Sequence, residues 1–225
     1  MGEIPNRGPM PQRKATTERL AAFSDGVFSV IITIMVLDLR PPARPTFTAL
    51  WTLWPTALSY LVSYVFIAIV WVNHHHLMRF IEDPSPRLIW INFAHLFAVS
   101  LVPFTTVWVA DTRLAEVPVF VYTTVFVLVE LAYLNFEHHS LMRAELEEIP
   151  PRTRRLARLR SFVAFGVFIT AMLSSLKFPR CAFAFVCCAV LLYLRPEFPM
   201  KRRDRSKPAV EISVKGDGSI SGGTH

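Results

Sequence analysis

Charged residues are scarce in this 225-residue chain, in which Asp, Glu, Lys and Arg together make up 18% of the sequence. Soluble domains carry about 25%. Glycine is also scarce, with eight residues, which excludes a collagen-like or low-complexity protein. The three cysteines lie in one segment and lack the spacing of a zinc site or a disulfide framework. Apolar residues make up 52% of the chain, and so much apolar surface excludes intrinsic disorder for most of its length.

The sequence motifs of common enzymes are absent. The chain has no phosphate-binding loop, nucleophile elbow, dinucleotide fingerprint or His-Glu-x-x-His zinc motif. Residues 74–76 are three consecutive histidines, but neighbouring residues on a helix point about 100° apart. The three histidines therefore cannot bind one metal ion from one helix face. We expect neither an enzyme nor a bound metal or cofactor.

The chain contains six apolar segments, which span residues 20–39, 50–73, 88–110, 117–137, 160–176 and 181–195. A helix that crosses a bilayer needs about twenty apolar residues, and the first four segments meet this length. We therefore predict an all-α polytopic membrane protein with six transmembrane helices, and four spans plus a re-entrant hairpin is the alternative. The predicted division is a disordered lead over 1–17, a transmembrane domain over 18–198 and a basic, disordered tail over 199–225.

The distribution of positive charge predicts the orientation in the membrane. Of the 24 Lys and Arg residues, 19 lie in the two terminal segments, the second–third loop and the fourth–fifth loop, and 5 lie in the other three loops. Positive residues concentrate on the cytoplasmic side, so both termini are predicted to be cytoplasmic. The same rule accounts for the net charge of +7 without a nucleic-acid partner.

Ionisable residues within the predicted spans lie toward one end of the bundle. Asp25 lies about one turn into the first span, and His95 and Glu130 lie at similar depth in the third and fourth spans. His74 and His75 follow the second span at the same end. A charge inside a bilayer is costly and needs a partner, which makes His95 and Glu130 a candidate pair. This predicted polar layer serves either to hold helices together or as a path for protons or ions.

The first span has distinct faces. With about 100° per residue, Val30, Ile34 and Leu37 fall within about 60° of arc, and Thr33 lies on a polar strip beside them. Asp25 projects from roughly the opposite face, so we expect it to contact neighbouring helices.

The start of the first span resembles a known motif. Arg19 followed by Phe23, Ser24 and Asp25 is similar to the R-x-x-x-F-S-D motif of the transmembrane-protein-175 family, whose members are potassium-preferring cation channels. The single copy of the motif resembles the prokaryotic form. Further similarity to the second and third spans of that family lies in Trp71, Asn73, His74, His75, Asn92, His95 and Pro103.

The resemblance implies a homotetramer with four first spans around a central pore. It assigns the pore constriction to Val30, Ile34 and Leu37 and associates Thr33 with selectivity. It makes the motif residues structural supports, which are Arg19, Phe23, Ser24 and Asp25. The expected function is a modestly potassium-selective, leak-type channel in a bacterial plasma membrane, with potassium as the permeant ion and membrane lipids around it.

The chain lacks the Thr-Val-Gly-Tyr-Gly filter of ordinary potassium channels. Selection would then come from the cost of partly dehydrating the ion at an apolar constriction, where potassium loses water more cheaply than sodium. Two other functions stay open on the sequence: a proton-coupled transporter that uses Asp25, His95 and Glu130, and a membrane scaffold that transports nothing.

Overall fold

The computed structural model describes residues 12–81, 83–141 and 151–193, and it is helical within them. The helices are α1 (Gln12–Leu37), α2 (Phe47–Trp51), α3 (Trp54–Met78), α4 (Pro86–Ser100), α5 (Val102–Asp111), α6 (Glu116–Leu141), α7 (Pro151–Ser175) and α8 (Pro179–Tyr193). These elements confirm the predicted all-α class.

Four helical stretches of the described residues are long and apolar enough to cross a membrane: Thr16–Leu37, Trp54–Met78, Pro86–Asp111 and Glu116–Ser140. Two shorter apolar helices follow, Ser161–Ser175 and Pro179–Leu191. The chain is thus a multi-pass membrane protein. The count of six spans and the cytoplasmic position of both termini stay predictions.

Helix α1 begins at Gln12 and therefore includes residues 12–17 of the predicted lead, while the division of the chain into lead, transmembrane domain and tail stays a prediction. This stretch follows Pro11 and contains neither proline nor glycine, and a helix can therefore extend without interruption into the apolar span. Residues 1–11 of the predicted lead and the predicted tail at 199–225 lie outside the described residues.

Prolines divide the second and third apolar segments. The second segment, predicted at 50–73, forms a short α2 and a long α3, and Pro55 lies in the first turn of α3, where the missing N–H is tolerated. Helix α3 continues through the histidines to Met78. The third segment is interrupted at Leu101 between α4 and α5 because Pro103 lacks the N–H that would bond the carbonyl of Val99.

Helix α6 is central to the packing. It contacts α4, α5, α7 and α8, while α1 packs on α3 and α4. Between α3, α6 and α7 the rings of Phe66 and Phe126 stack at 3.9 Å, and Phe168 meets both rings edge-on. This aromatic centre fixes α3 against α6, and α3 in turn supports one face of α1.

Candidate functional site

Helix α1 presents one face to the bundle and leaves the opposite face open. Val30, Ile34 and Leu37 are 54%, 47% and 78% exposed, and we call these three residues the aliphatic stripe. The buried face consists of Ser24, Phe28, Ile31 and Met35. The stripe predicted from helical geometry is therefore the side of α1 that the other described helices leave exposed.

A polar strip runs beside the aliphatic stripe. The Ser29 hydroxyl donates to the Asp25 carbonyl at 2.8 Å, and the Thr33 hydroxyl donates to the carbonyls of Ser29 and Val30 at 2.9 and 3.0 Å. Each hydroxyl hydrogen is thus bound to the helix backbone, and the oxygen lone pairs remain available as acceptors. Both side chains are exposed.

On the buried face, Ser24 begins a hydrogen-bonded chain across three helices. Asn92 of α4 donates from Nδ2 to the Ser24 hydroxyl at 3.0 Å and accepts at Oδ1 from His74 Nε2 of α3 at 2.7 Å. His74 must therefore carry its hydrogen on Nε2. All three side chains are fully buried, so a single asparagine links α1, α3 and α4 in an apolar interior.

Asp25 contacts the same neighbouring helix from a more open position. Trp71 donates its indole N–H to Asp25 Oδ1 at 2.8 Å, and His75 Nδ1 lies 3.6 Å from Oδ2. Phe23 is half-exposed, with its ring 5.4 Å from that of Phe93 on α4. Arg19 is exposed, and no hydrogen bond or ion pair of its side chain is found in the described part of the chain. Ser24, Asp25 and Phe23 therefore contact other helices, whereas the Arg19 side chain makes no hydrogen bond or ion pair with a described residue.

The predicted pairing of His95 with Glu130 was wrong. Neither ring nitrogen of His95 makes a hydrogen bond with a described residue. His95 instead stacks with His74 at 5.7 Å, and Tyr133 packs against it at 5.9 Å. Similar depth was predicted for His95 and Glu130, but similar depth does not place two side chains on facing sides of their helices.

Glu130 lines a separate cavity enclosed by α3, α6, α7 and α8. The polar side chains in its wall are Asn73, Glu130 and Tyr133. The sequence analysis singled out Glu130 but gave Asn73 no role, since an asparagine near the end of an apolar helix carries no signal of its own. The described residues hold no cluster of three or more His, Cys, Asp or Glu side chains that could bind a metal ion.

The sequence analysis also missed a cluster of hydroxyl groups between α3, α5 and α6. Thr106 donates to the Ser63 hydroxyl at 2.7 Å, and the Ser63 and Tyr122 hydroxyls lie 2.9 Å apart. These side chains are buried. The available signal was the four-residue spacing of Ser59 and Ser63 on one face of α3, which places two small polar residues toward the same neighbours.

Known proteins are similar in sequence to this chain over most of its length. The family model described as endosomal/lysosomal potassium channel TMEM175 matches residues 19–103. A potassium channel of Chryseobacterium sp. (strain P1-3) is 31% identical over 191 residues, which cover 85% of this chain and 97% of the relative. The chain belongs to the TMEM175 family. This membership confirms the resemblance carried by the motif of the first span.

Other members of the TMEM175 family extend the similarity. A potassium channel of Streptomyces collinus (strain DSM 40733 / Tue 365) is 29% identical over 202 residues, covering 85% of this chain and 98% of the relative. The crystal structure of a lysosomal potassium-selective channel TMEM175 homolog from Chamaesiphon minutus matches with a TM-score of 0.69 at 25% identity. That match covers 80% of this chain and 96% of the other, so the shared fold reaches beyond the helices that carry the motif.

Animal TMEM175 proteins are more distant. The Gallus gallus protein, named an endosomal/lysosomal proton channel, is 22% identical over 142 residues, which cover 59% of this chain and 28% of the relative.

Proposed function

We propose that this chain is one subunit of an oligomeric channel that conducts potassium ions along a pore lined by the aliphatic stripe of α1. The observation that carries the proposal is the division of α1 into two faces. Its buried face is fixed by Ser24 and by apolar side chains, and the stripe of Val30, Ile34 and Leu37 stays open. A pore-lining helix needs one face that packs against neighbouring helices and an opposite face that is free to line the pore.

The names of the relatives support potassium as the permeant ion. Two bacterial relatives that cover 85% of this chain are named potassium channels, and the matching crystal structure is described as potassium-selective. The animal relatives are named proton channels, so proton permeation is a property to measure beside potassium. Because these relatives are named as channels, we expect a channel and not an enzyme.

The chemistry of the stripe predicts how ions are selected. Alkyl side chains offer no ligand to a cation, so an ion at the narrowest ring must keep part of its water. Potassium gives up hydration water at lower cost than sodium, and the preference should be modest. Thr33 strengthens this arrangement, because its hydroxyl hydrogen is bound to the backbone and its oxygen can face a passing cation.

We further propose a homotetramer in a bacterial plasma membrane. The stoichiometry follows from the resemblance of the motif to that of the prokaryotic channels, and the membrane follows from the bacterial relatives. A ring of subunits supplies what one subunit lacks, since a single aliphatic stripe on a helix surface cannot enclose a pore.

The test compares two neighbouring residues on α1. Leu37→Asn places a hydrogen-bonding group on the stripe and should raise the potassium flux in liposomes while reducing the preference for potassium over sodium. Val36→Asn is the matched control, because Val36 is also exposed but projects about 100° away from Leu37. Unchanged permeation in Leu37→Asn, or an equal effect of both substitutions, would contradict the pore assignment.

The structure weakens the alternative of a proton-coupled transporter. Its relay requires Asp25, His95 and Glu130 in succession, yet Asp25 contacts Trp71 and His75, and His95 does not bond Glu130. Transport would also saturate with substrate and move protons in fixed ratio. Flux that is linear with the ion gradient supports the channel.

A further inference from the structure

A second polar site lies in the bundle, away from the pore helix. The cavity at Glu130 lies between α3, α6, α7 and α8, and no residue of α1 belongs to its wall. Besides Asn73, Glu130 and Tyr133, the wall is apolar and consists of Phe66, Ile69, Val70, Phe168 and Val190. There is room for about one water molecule.

The cavity brings a carboxyl group and an open amide into an apolar environment. Glu130 and Asn73 are each 5% exposed, and the Asn73 side chain makes no hydrogen bond with any residue that the structure describes. An amide that bonds no described residue can instead be satisfied by an ordered water molecule. Cavities of this size with two or more polar groups hold ordered water, so a small hydrogen-bonding guest would satisfy Asn73.

We infer that this cavity is a proton-binding site, in which the Glu130 carboxyl group exchanges a proton with water and a bound water molecule bridges it to the Asn73 amide. The proton comes from bulk water and returns to it. The Asn73 amide suits both charge states, because its carbonyl accepts from a guest beside the neutral acid and its NH₂ group donates to a guest beside the carboxylate.

The wall favours a proton over a metal cation. Hard metal cations take six or more oxygen ligands, and this cavity offers three polar side chains among apolar ones. Tyr133 is the other titratable group in the wall, while α7 and α8 contribute Phe168 and Val190. The carboxylate of Glu137 lies about two turns further along α6 and does not line the cavity.

The site is connected to the pore helix through α3. Asn73 lies between two residues that bind α1 or its support: Trp71 donates to Asp25, and His74 bonds Asn92. A charged Glu130 needs more hydration in an apolar wall than a neutral one. We expect this difference in hydration to change the position of α3 against α6. We expect this change to reach α1, an expectation that rests on the proposed channel function.

Infrared difference spectroscopy of the full chain in liposomes tests the site itself. A pH step should change the carbonyl absorbance of a buried carboxylic acid in the wild type, and Glu130→Gln should abolish that band. Glu137→Gln is the matched control, because Glu137 is a buried carboxyl group on the same helix outside the cavity. The difference spectrum of this variant should still contain the Glu130 band. Asn73→Leu should shift the Glu130 band to higher wavenumber, because it removes the amide to which the water molecule links Glu130.

The outcomes decide the inference in each case. A band that persists in Glu130→Gln, or that Asn73→Leu leaves unshifted, would overturn the site, and the second variant keeps the test valid if the first does not fold. Potassium flux provides the functional readout: its ratio between acidic and alkaline buffer should fall to unity in Glu130→Gln and stay at the wild-type value in Glu137→Gln. An unchanged ratio in Glu130→Gln would refute the link to conduction. A wild type that is silent at every pH would instead refute the channel function, and the infrared result would still decide the site.

Discussion

Asn92 of α4 should contribute more to the stability of this protein than any other single polar residue that contacts the buried face of α1. Its amide donates to Ser24 on α1 at 3.0 Å and accepts from His74 on α3 at 2.7 Å. Replacing it with leucine keeps the side-chain volume but removes both hydrogen bonds. The serine hydroxyl and the histidine N–H then lie buried without their present partner.

The expected cost follows from two estimates. Hydrogen bonds between transmembrane helices contribute about 0.6 kcal/mol on average and up to about 1.7 kcal/mol, which gives about 1–3 kcal/mol for two bonds. Leaving a buried polar group unsatisfied costs about 1–3 kcal/mol in proteins generally. Asn92→Leu should therefore lower the free energy of unfolding by about 1–3 kcal/mol. Ser24→Ala removes one of the two bonds and should cost about half as much.

Unfolding in mixed micelles with increasing denaturing detergent, followed by circular dichroism, measures this free energy. Asn135→Leu is the control, because Asn135 is exposed on α6 and exposed substitutions usually stay within about 0.5 kcal/mol. The double variant Ser24→Ala/Asn92→Leu should cost less than the sum of the single changes, since both remove the same bond. A loss in Asn92→Leu no greater than in Asn135→Leu would refute the assignment of Asn92 as the link between three helices.

Two further predictions concern the other polar contacts. Trp71→Phe removes the indole donor to Asp25 and should lower the free energy of unfolding by about 0.5–1 kcal/mol in the same assay. This is less than for Asn92→Leu, because Trp71 and Asp25 are both 37% exposed; a larger decrease than that of Asn92→Leu would contradict this ranking. Tyr122→Phe removes one partner of Ser63 and should lower the free energy of unfolding by about 1 kcal/mol. The same substitution made in a Thr106→Val background should have a different effect, because both hydroxyls bond the same serine. Strict additivity of these two changes would show that the cluster does not act as a unit.

The positions of the membrane helices could be predicted well from hydropathy, but their ends could not. Apolar length predicted the four long spans, because a bilayer imposes a minimum number of apolar residues. The ends depend on local chemistry that hydropathy ignores. Helix α1 extends back to Gln12 and α3 extends to Met78 through three histidines, since nothing in either stretch interrupts the backbone hydrogen bonds. Pro103 interrupts the helix in a segment that hydropathy treats as continuous.

The contents of the candidate site could be predicted in part. Helical geometry places Val30, Ile34 and Leu37 on one side of α1 without knowledge of any neighbour, and the structure leaves that side exposed. Partners across helices depend on rotation of one helix against another, which a single sequence does not specify. The similar depth predicted for His95 and Glu130 therefore did not make them a pair. The hydrogen bonds of Asn92 and the position of Asn73 in a cavity could be seen only from the packing.

Exposure of the aliphatic stripe does not by itself distinguish a pore from a lipid-facing surface, because alkyl groups meet lipid at no cost. What separates the two is the way α1 is held. Its first turns are fixed to α3 and α4 by polar contacts of Ser24 and Asp25, whereas from Phe28 onward the buried face is apolar. These contacts hold the first turns of α1 against α3 and α4, as polar side chains between membrane helices do. A pore helix gains a fixed position at that end, and its stripe then projects at a constant distance from the neighbouring subunits.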